Sequence, residues 1–94
     1  MISALILHVG EDVVVLSREV VAILDLSSSL SPDTQGFLQM AEEEGFVRNV
    51  GPGGFKSVVI CQSGNRTRVY YSPISSKTLW LRGALGDSQA FLRP

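Results

Sequence analysis

Ile2 to Val9 is rich in branched apolar residues and gives way to Gly10-Glu11-Asp12, after which Val13 to Leu16 resumes an apolar run. Two short β-branched runs around a turn-type cluster predict a β-hairpin. Ser17-Arg18-Glu19 interrupts the pattern before Val20 to Leu26, again short and β-branched, which predicts a third strand. Ser31-Pro32-Asp33 then offers a capping hydroxyl, a proline for the first helical position and an acid for the first turn. Phe37, Met40 and Ala41 recur at helical spacing, and Gly45 stands where a left-handed C-cap is wanted, so a helix is expected from Pro32 to Glu44.

The breaker cluster Gly51-Pro52-Gly53-Gly54 precedes an alternating run from Lys56 to Cys61, and Gln62-Ser63-Gly64-Asn65 forms a turn from which Arg66 to Tyr71 returns as the second arm of a hairpin. A period of two places Arg66, Arg68 and Tyr70 on one face of that arm. Ser75 or Ser76 can cap a short helix carrying Leu79, Trp80 and Leu81, and beyond Gly83 the pattern fades. The expected architecture is α+β: one mostly antiparallel sheet of about five strands, one central helix and one short C-terminal helix, without a βαβ crossover. Residues 1–83 are expected to form a single domain and 84–94 a loose tail.

The 94 residues, 45% of them apolar, suit one domain. A domain of this size buries only about two thirds of its unfolded surface, so self-association would add stability. The lone Cys61 excludes an internal disulfide, and the opening residues lack the pattern of a secretory signal, which points to the cytoplasm. The apolar stretches are too short and too interrupted by charge to span a bilayer, so no membrane partner is expected.

The charge is unevenly distributed. Up to Val47 there is one base, Arg18, against eight acids; from Arg48 onward there are seven bases against the single acid Asp87, and the whole carries −1. Such polarity can make a basic face for phosphate or let acidic and basic surfaces of two copies dock, unless folding mixes the charges in space. Glu42, Glu43 and Glu44 sit at the helix C-terminus, where the dipole disfavours acids by roughly 0.3 to 1 kcal/mol each. They are either a solvated helix end or a docking surface for a neighbour's cations.

Catalytic chemistry is sparse. His8 and Cys61 fall on separate strands, too few and too scattered to ligate a metal or form a nucleophile–base pair, so no enzyme, metal site or cofactor is expected. Cys61 reads as a buried, inert thiol. The glycine loop before Lys56-Ser57 fails the P-loop pattern, since Phe55 precedes the lysine and a strand follows. It is either a plain connector or a loop whose N–H groups approach a nucleic-acid backbone with Arg48 and Lys56 on its flanks.

Three segments carry a resemblance. His8-Val9-Gly10-Glu11-Asp12-Val13-Val14-Val15-Leu16-Ser17-Arg18-Glu19-Val20-Val21-Ala22-Ile23-Leu24-Asp25, then Lys56-Ser57-Val58-Val59-Ile60, then Tyr70-Tyr71-Ser72-Pro73-Ile74-Ser75-Ser76-Lys77-Thr78-Leu79 resemble the Rem family of bacterial extracellular-matrix (biofilm) regulators, its RemB-like branch above all, over residues 1 to about 83. The resemblance implies a small α+β protomer that assembles into rings and, in the RemA-like branch, binds promoter DNA to activate matrix genes. Arg18 falls where that branch carries an arginine important for DNA binding. The arginine pair it places in the loop before the strand beginning at Lys56 is replaced here by Gly53 and Gly54, which weakens phosphate binding and flattens its salt dependence.

Two expectations follow. In the first, the chain is a ring-forming DNA-binding transcriptional regulator that contacts phosphates of double-stranded DNA through Arg18, Arg48, Lys56, Arg66 and Arg68, drawing specificity from DNA shape. In the second, it is a structural or adaptor protein that binds no DNA and assembles with itself or with a paralogous family member.

Overall fold

The computed structural model describes residues 6–89. Strands β1 (Ile6–Gly10) and β2 (Val13–Leu16) form the expected hairpin as a two-stranded sheet of their own. Its turn places Gly10 at φ +129° and Glu11 at +50°, and the register shifts between His8 and Gly10. The His8 Nε2–H steadies the turn by donating to the Glu11 carbonyl at 2.6 Å. Alternation points Leu7, Val9, Val13 and Val15 inward and leaves Ile6, His8 and Val14 exposed.

A single 3-10 turn, Ser17–Glu19, redirects the chain into a four-stranded sheet of order β3-β5-β6-β4, made of β3 (Val20–Asp25), β4 (Val47–Asn49), β5 (Ser57–Ser63) and β6 (Arg66–Ser72). The single sheet of about five strands expected from the sequence is thus six strands in two sheets. The hairpin covers a face of the larger sheet instead of extending its edge, because four inward apolar side chains find a partner surface there. Strands β3, β5 and β6 pair antiparallel, but β4 pairs parallel to β6. Strands β3 and β4 therefore run the same way at opposite edges, joined by helix α1 (Pro32–Glu43), which carries the chain over two strands, about 14 Å sideways. This is a crossover that the sequence pattern did not predict.

Two apolar clusters flank the larger sheet. On one face, Leu7, Val9, Val13 and Val15 of the hairpin and Leu79 of helix α2 (Ser76–Gln89) close over Val50, Val59, Cys61 and Tyr70. On the other, Leu38 and Ala41 of α1 close over Val58 and Val69, with Phe37, Val47 and Ile60 at the margin. Adjacent Val58 and Val59 serve opposite clusters, as a period of two requires, and burying each contributes about 1.5 to 3 kcal/mol. The layers are also tied by hydroxyls: Ser72 Oγ donates to the Val9 carbonyl at 2.6 Å and Ser57 Oγ to the Ile74 carbonyl at 2.7 Å, both serines being buried.

Helix ends follow local chemistry. Ser31 Oγ accepts from the Thr34 N–H, and Pro32 opens α1. At the other end Gly45 adopts φ +81°, its N–H bonding the Glu42 carbonyl while the Phe46 N–H bonds that of Ala41, the paired arrangement of a Schellman cap. Ser75 Oγ caps α2 through the Thr78 N–H. Helix α2 does not stop near Gly83, where a tail was expected; it runs to Gln89, and residues 90–94 lie outside the described part. A helical glycine costs about 1 kcal/mol relative to alanine, which the good helix formers Ala84 and Leu85 help to outweigh. Among the described residues no helix is long and apolar enough to cross a membrane.

Candidate nucleic-acid interface

The β5–β6 turn is braced by its own side chains. Gly64 takes φ +59°, the Gln62 amide donates to the Gly64 carbonyl at 2.8 Å, and Thr67 Oγ1 donates to Gln62 Oε1 at 2.6 Å. From this stiff end β6 sets out with Arg66 opposite Ser63 and Arg68 opposite Cys61. Both arginines share a face with Tyr70, as expected. Tyr70 is buried under the hairpin, whereas Arg66 and Arg68 lie beyond its cover and are exposed. The basic and aromatic face of the sequence pattern is thereby divided into a basic surface and a buried ring.

Arg48 joins them through β4, where the parallel register sets it beside Tyr70. Arg48, Arg66 and Arg68, with Gly45, Phe46, Asn65 and Thr67, line a groove of about 400 Å³ at the end of the sheet. Glu19 shares a smaller recess, about 160 Å³, with Cys61, Ser63, Arg66 and Arg68, so the 3-10 turn that carries exposed Arg18 adjoins the same arginines. Lys56 stands apart. It precedes β5 at the Ser57 end and bonds Ser72 through its N–H, about 23 Å along the strand from Ser63.

The Gly51–Gly54 connector also lies at the Lys56 end, because β4 runs parallel to β6 and delivers the chain there. Gly53 and Gly54 have open space where a side chain would project, while the Glu11 carboxylate packs against Gly51. The loop thus has an acid beside it and does not share the groove with Arg48. Phe46, Asn65 and Thr67 were not singled out from the sequence. Phe46 and the three-residue β4 follow a helix cap and carry no periodicity of their own, and the sheet edge that gathers these residues exists only once β4 has paired.

Cys61 is 4% exposed. Burial, reinforced by the Glu19 charge and opposed by Arg68, pushes its thiol up to about 11, which keeps it protonated and unreactive near neutrality. Asp25 ends β3 by accepting from the Ser27 hydroxyl and N–H and the Ser28 hydroxyl, the Ser27 hydroxyl being the largest cause of its lowered pKa. Tyr71 is raised by burial and then by Glu42. Among the described residues no three His, Cys, Asp or Glu gather as metal ligands.

The edge strand β3 exposes a different surface. Val21, at its bulge, is 66% exposed, and Trp80 of α2 is 64% exposed. Both line an open apolar depression of about 300 Å³ with Leu7, Val20, Ile23 and Leu79. A second depression, with Ala22, Leu24, Phe37 and Ile60, flanks the same strand on the α1 side.

Residues 6–82 match the family model of RemA-like proteins, described as extracellular matrix regulatory protein A-like. The chain is 37% identical over 73 residues to extracellular matrix regulatory protein B of Bacillus subtilis (strain 168), an alignment covering 78% of this chain and 83% of that protein.

Proposed function

The chain belongs to the RemA-like family of extracellular matrix regulatory proteins, and from that premise we propose that it is a cytoplasmic, non-enzymatic regulator of matrix genes that binds the phosphates of double-stranded DNA as a ring of identical subunits. The observation that carries this reading is the convergence of Arg48, Arg66 and Arg68 on one groove, with Arg18 on the adjoining turn. Guanidiniums carried on a rigid sheet end suit bidentate hydrogen bonds to phosphate oxygens. No side chain here is presented like a helix in a major groove, so sequence preference would come from DNA shape and bendability. Lys56 would add a contact at the far end, and only if DNA spans the sheet or a neighbouring subunit brings its groove close.

Repetition matters because each protomer offers few cations. A head-to-tail contact repeated around a closed ring would place several grooves on one scaffold, so that individually weak contacts add. The apolar strip around Val21 and Trp80 supplies a surface for that contact. Size-exclusion chromatography with light scattering, with and without a short AT-rich duplex at two salt concentrations, tests both parts. The expected result is a symmetric oligomer that shifts with DNA at low salt and less at high salt. Arg18→Ala should weaken retention across DNA sequences, by about tenfold or more if one charge-assisted phosphate contact per site is lost; undiminished binding would remove Arg18 from the interface.

The glycine connector favours a second reading. With Gly53 and Gly54 in place of an arginine pair and Glu11 against Gly51, the chain would serve as an adaptor that assembles with itself or a paralogous family member. An oligomer that ignores DNA at both salts would select this alternative.

A further inference from the structure

The groove at the sheet end has a shape that duplex DNA does not require. Strand β4 begins pairing at Val47 opposite Val69. Before that point the chain peels away through Phe46 and Gly45 into α1, so β6 extends past its neighbour by Arg66, Thr67 and Arg68. The Val69 N–H bonds the Phe46 carbonyl and the Tyr71 carbonyl accepts from Val50. By strand alternation the N–H and carbonyl of Thr67 point the same way, into the space that β4 has vacated. That space is the groove of about 400 Å³, within the range of small-molecule sites.

Its walls are chemically distinct. Three arginines line it and no acidic residue does. Among the described residues Arg82, which donates to the His8 carbonyl, is the one arginine whose side chain is hydrogen-bonded within the chain. Phe46 also lines it and is left 39% exposed despite following the helix cap, where such a side chain ordinarily folds back onto the helix. Cationic forks, an outward backbone N–H and a flat apolar wall in one recess match a molecule with an anionic phosphate group at one end and a planar ring at the other.

We infer that the groove is a receptor for a free nucleoside polyphosphate, its phosphates on Arg48, Arg66 and Arg68 and its base against Phe46. Nucleotide binding stands by itself; its regulatory consequence rests on the DNA reading above, since both ligands would claim the same guanidiniums and displace each other.

Calorimetric titration of the full chain in metal-free buffer with ATP, tripolyphosphate and adenosine tests this. ATP should bind with one site per chain and more tightly than tripolyphosphate, and adenosine far more weakly than either. Arg66→Ala should weaken ATP and tripolyphosphate alike, by about tenfold. Phe46→Leu, which keeps an apolar side chain at the cap, should weaken ATP about fivefold and leave tripolyphosphate unchanged. Equal affinity for ATP and tripolyphosphate, or an ATP affinity indifferent to Phe46→Leu, would reduce the groove to a basic patch and overturn the inference. A labelled duplex separates the two readings. ATP binding without duplex retention would uphold the nucleotide site while refuting DNA binding; duplex retention without ATP binding would do the reverse. ATP bound to a protein whose duplex it cannot displace would refute the shared use of the arginines.

Discussion

Two glycines of the same helical region show how one atom's worth of side chain acts in opposite directions. Gly45 holds φ +81° with nothing near its missing Cβ, so Gly45→Ala meets no neighbour and its cost is the left-handed backbone itself, about 1 to 2 kcal/mol. Gly36 lies inside α1, also in open space but without positive φ. Gly36→Ala should therefore stabilise by about 0.5 to 1 kcal/mol. Urea unfolding of the two variants should give shifts of opposite sign. Cys61 adds a pH dependence. Its pKa is raised from an ordinary 9 to about 11 in the folded chain, so the unfolded chain loses this proton first and the neutral thiol's contribution is complete below pH 9. As pH climbs from 9 towards 11 stability should fall, and Cys61→Val, which fills similar space without a titrating group, should show a shallower fall. Caps of this kind were legible in the sequence, since Ser31, Pro32 and Gly45 act within a few residues of their own chain.

Elements whose identity depends on distant partners were less legible. Strand β4 has three residues, two of them exposed, and nothing in Val47-Arg48-Asn49 announces a strand that pairs parallel with a segment 22 residues later. The crossover through α1 and the groove both depend on that pairing. The two apolar runs around Gly10-Glu11-Asp12 specify a hairpin, but an apolar alternation says only that one face is covered. Whether it joins an edge or lies across a face is decided by the surface it meets. Strand β3 was expected and found, yet its outer edge is unpaired and its side chains are mostly half-buried, which a run of branched residues did not foretell. If self-association uses this strip, Val21→Lys should return the oligomer to a monomer in light scattering, since an edge lysine must be stripped of water to be covered. The lone Trp80 should then report the same event, its emission shifting blue on assembly in the parent and staying at the exposed wavelength in the variant.

Across the whole molecule, the division of charge along the chain survives folding only in part. The acidic end of α1, Glu42 to Glu44, leads through Gly45 into the arginine groove, and Glu19 lies beside Arg66 and Arg68. Acids and bases from opposite halves of the sequence become neighbours, and a carboxylate such as that of Glu19 lowers the potential that a phosphate would feel. Of the five cations singled out from the sequence, three share the groove, Arg18 sits on the turn whose Glu19 borders Arg66 and Arg68, and Lys56 lies at the opposite end of β5. The strand period grouped Arg66 with Arg68, but Arg48 joined them only through the parallel pairing of β4.

Arg48, Arg66 and Arg68 are proposed to bind DNA phosphates. Fluorescence anisotropy of a labelled 20-base-pair duplex, titrated with the protein over a series of salt concentrations, addresses this most directly when the parent is compared with Arg66→Ala/Arg68→Ala. Log affinity should fall linearly with log salt for the parent, and the double variant should bind more weakly with a slope shallower by about 0.9 for each phosphate contact removed. Equal affinity and equal slope for the two proteins, or no binding by the parent even at low salt, would contradict the proposal.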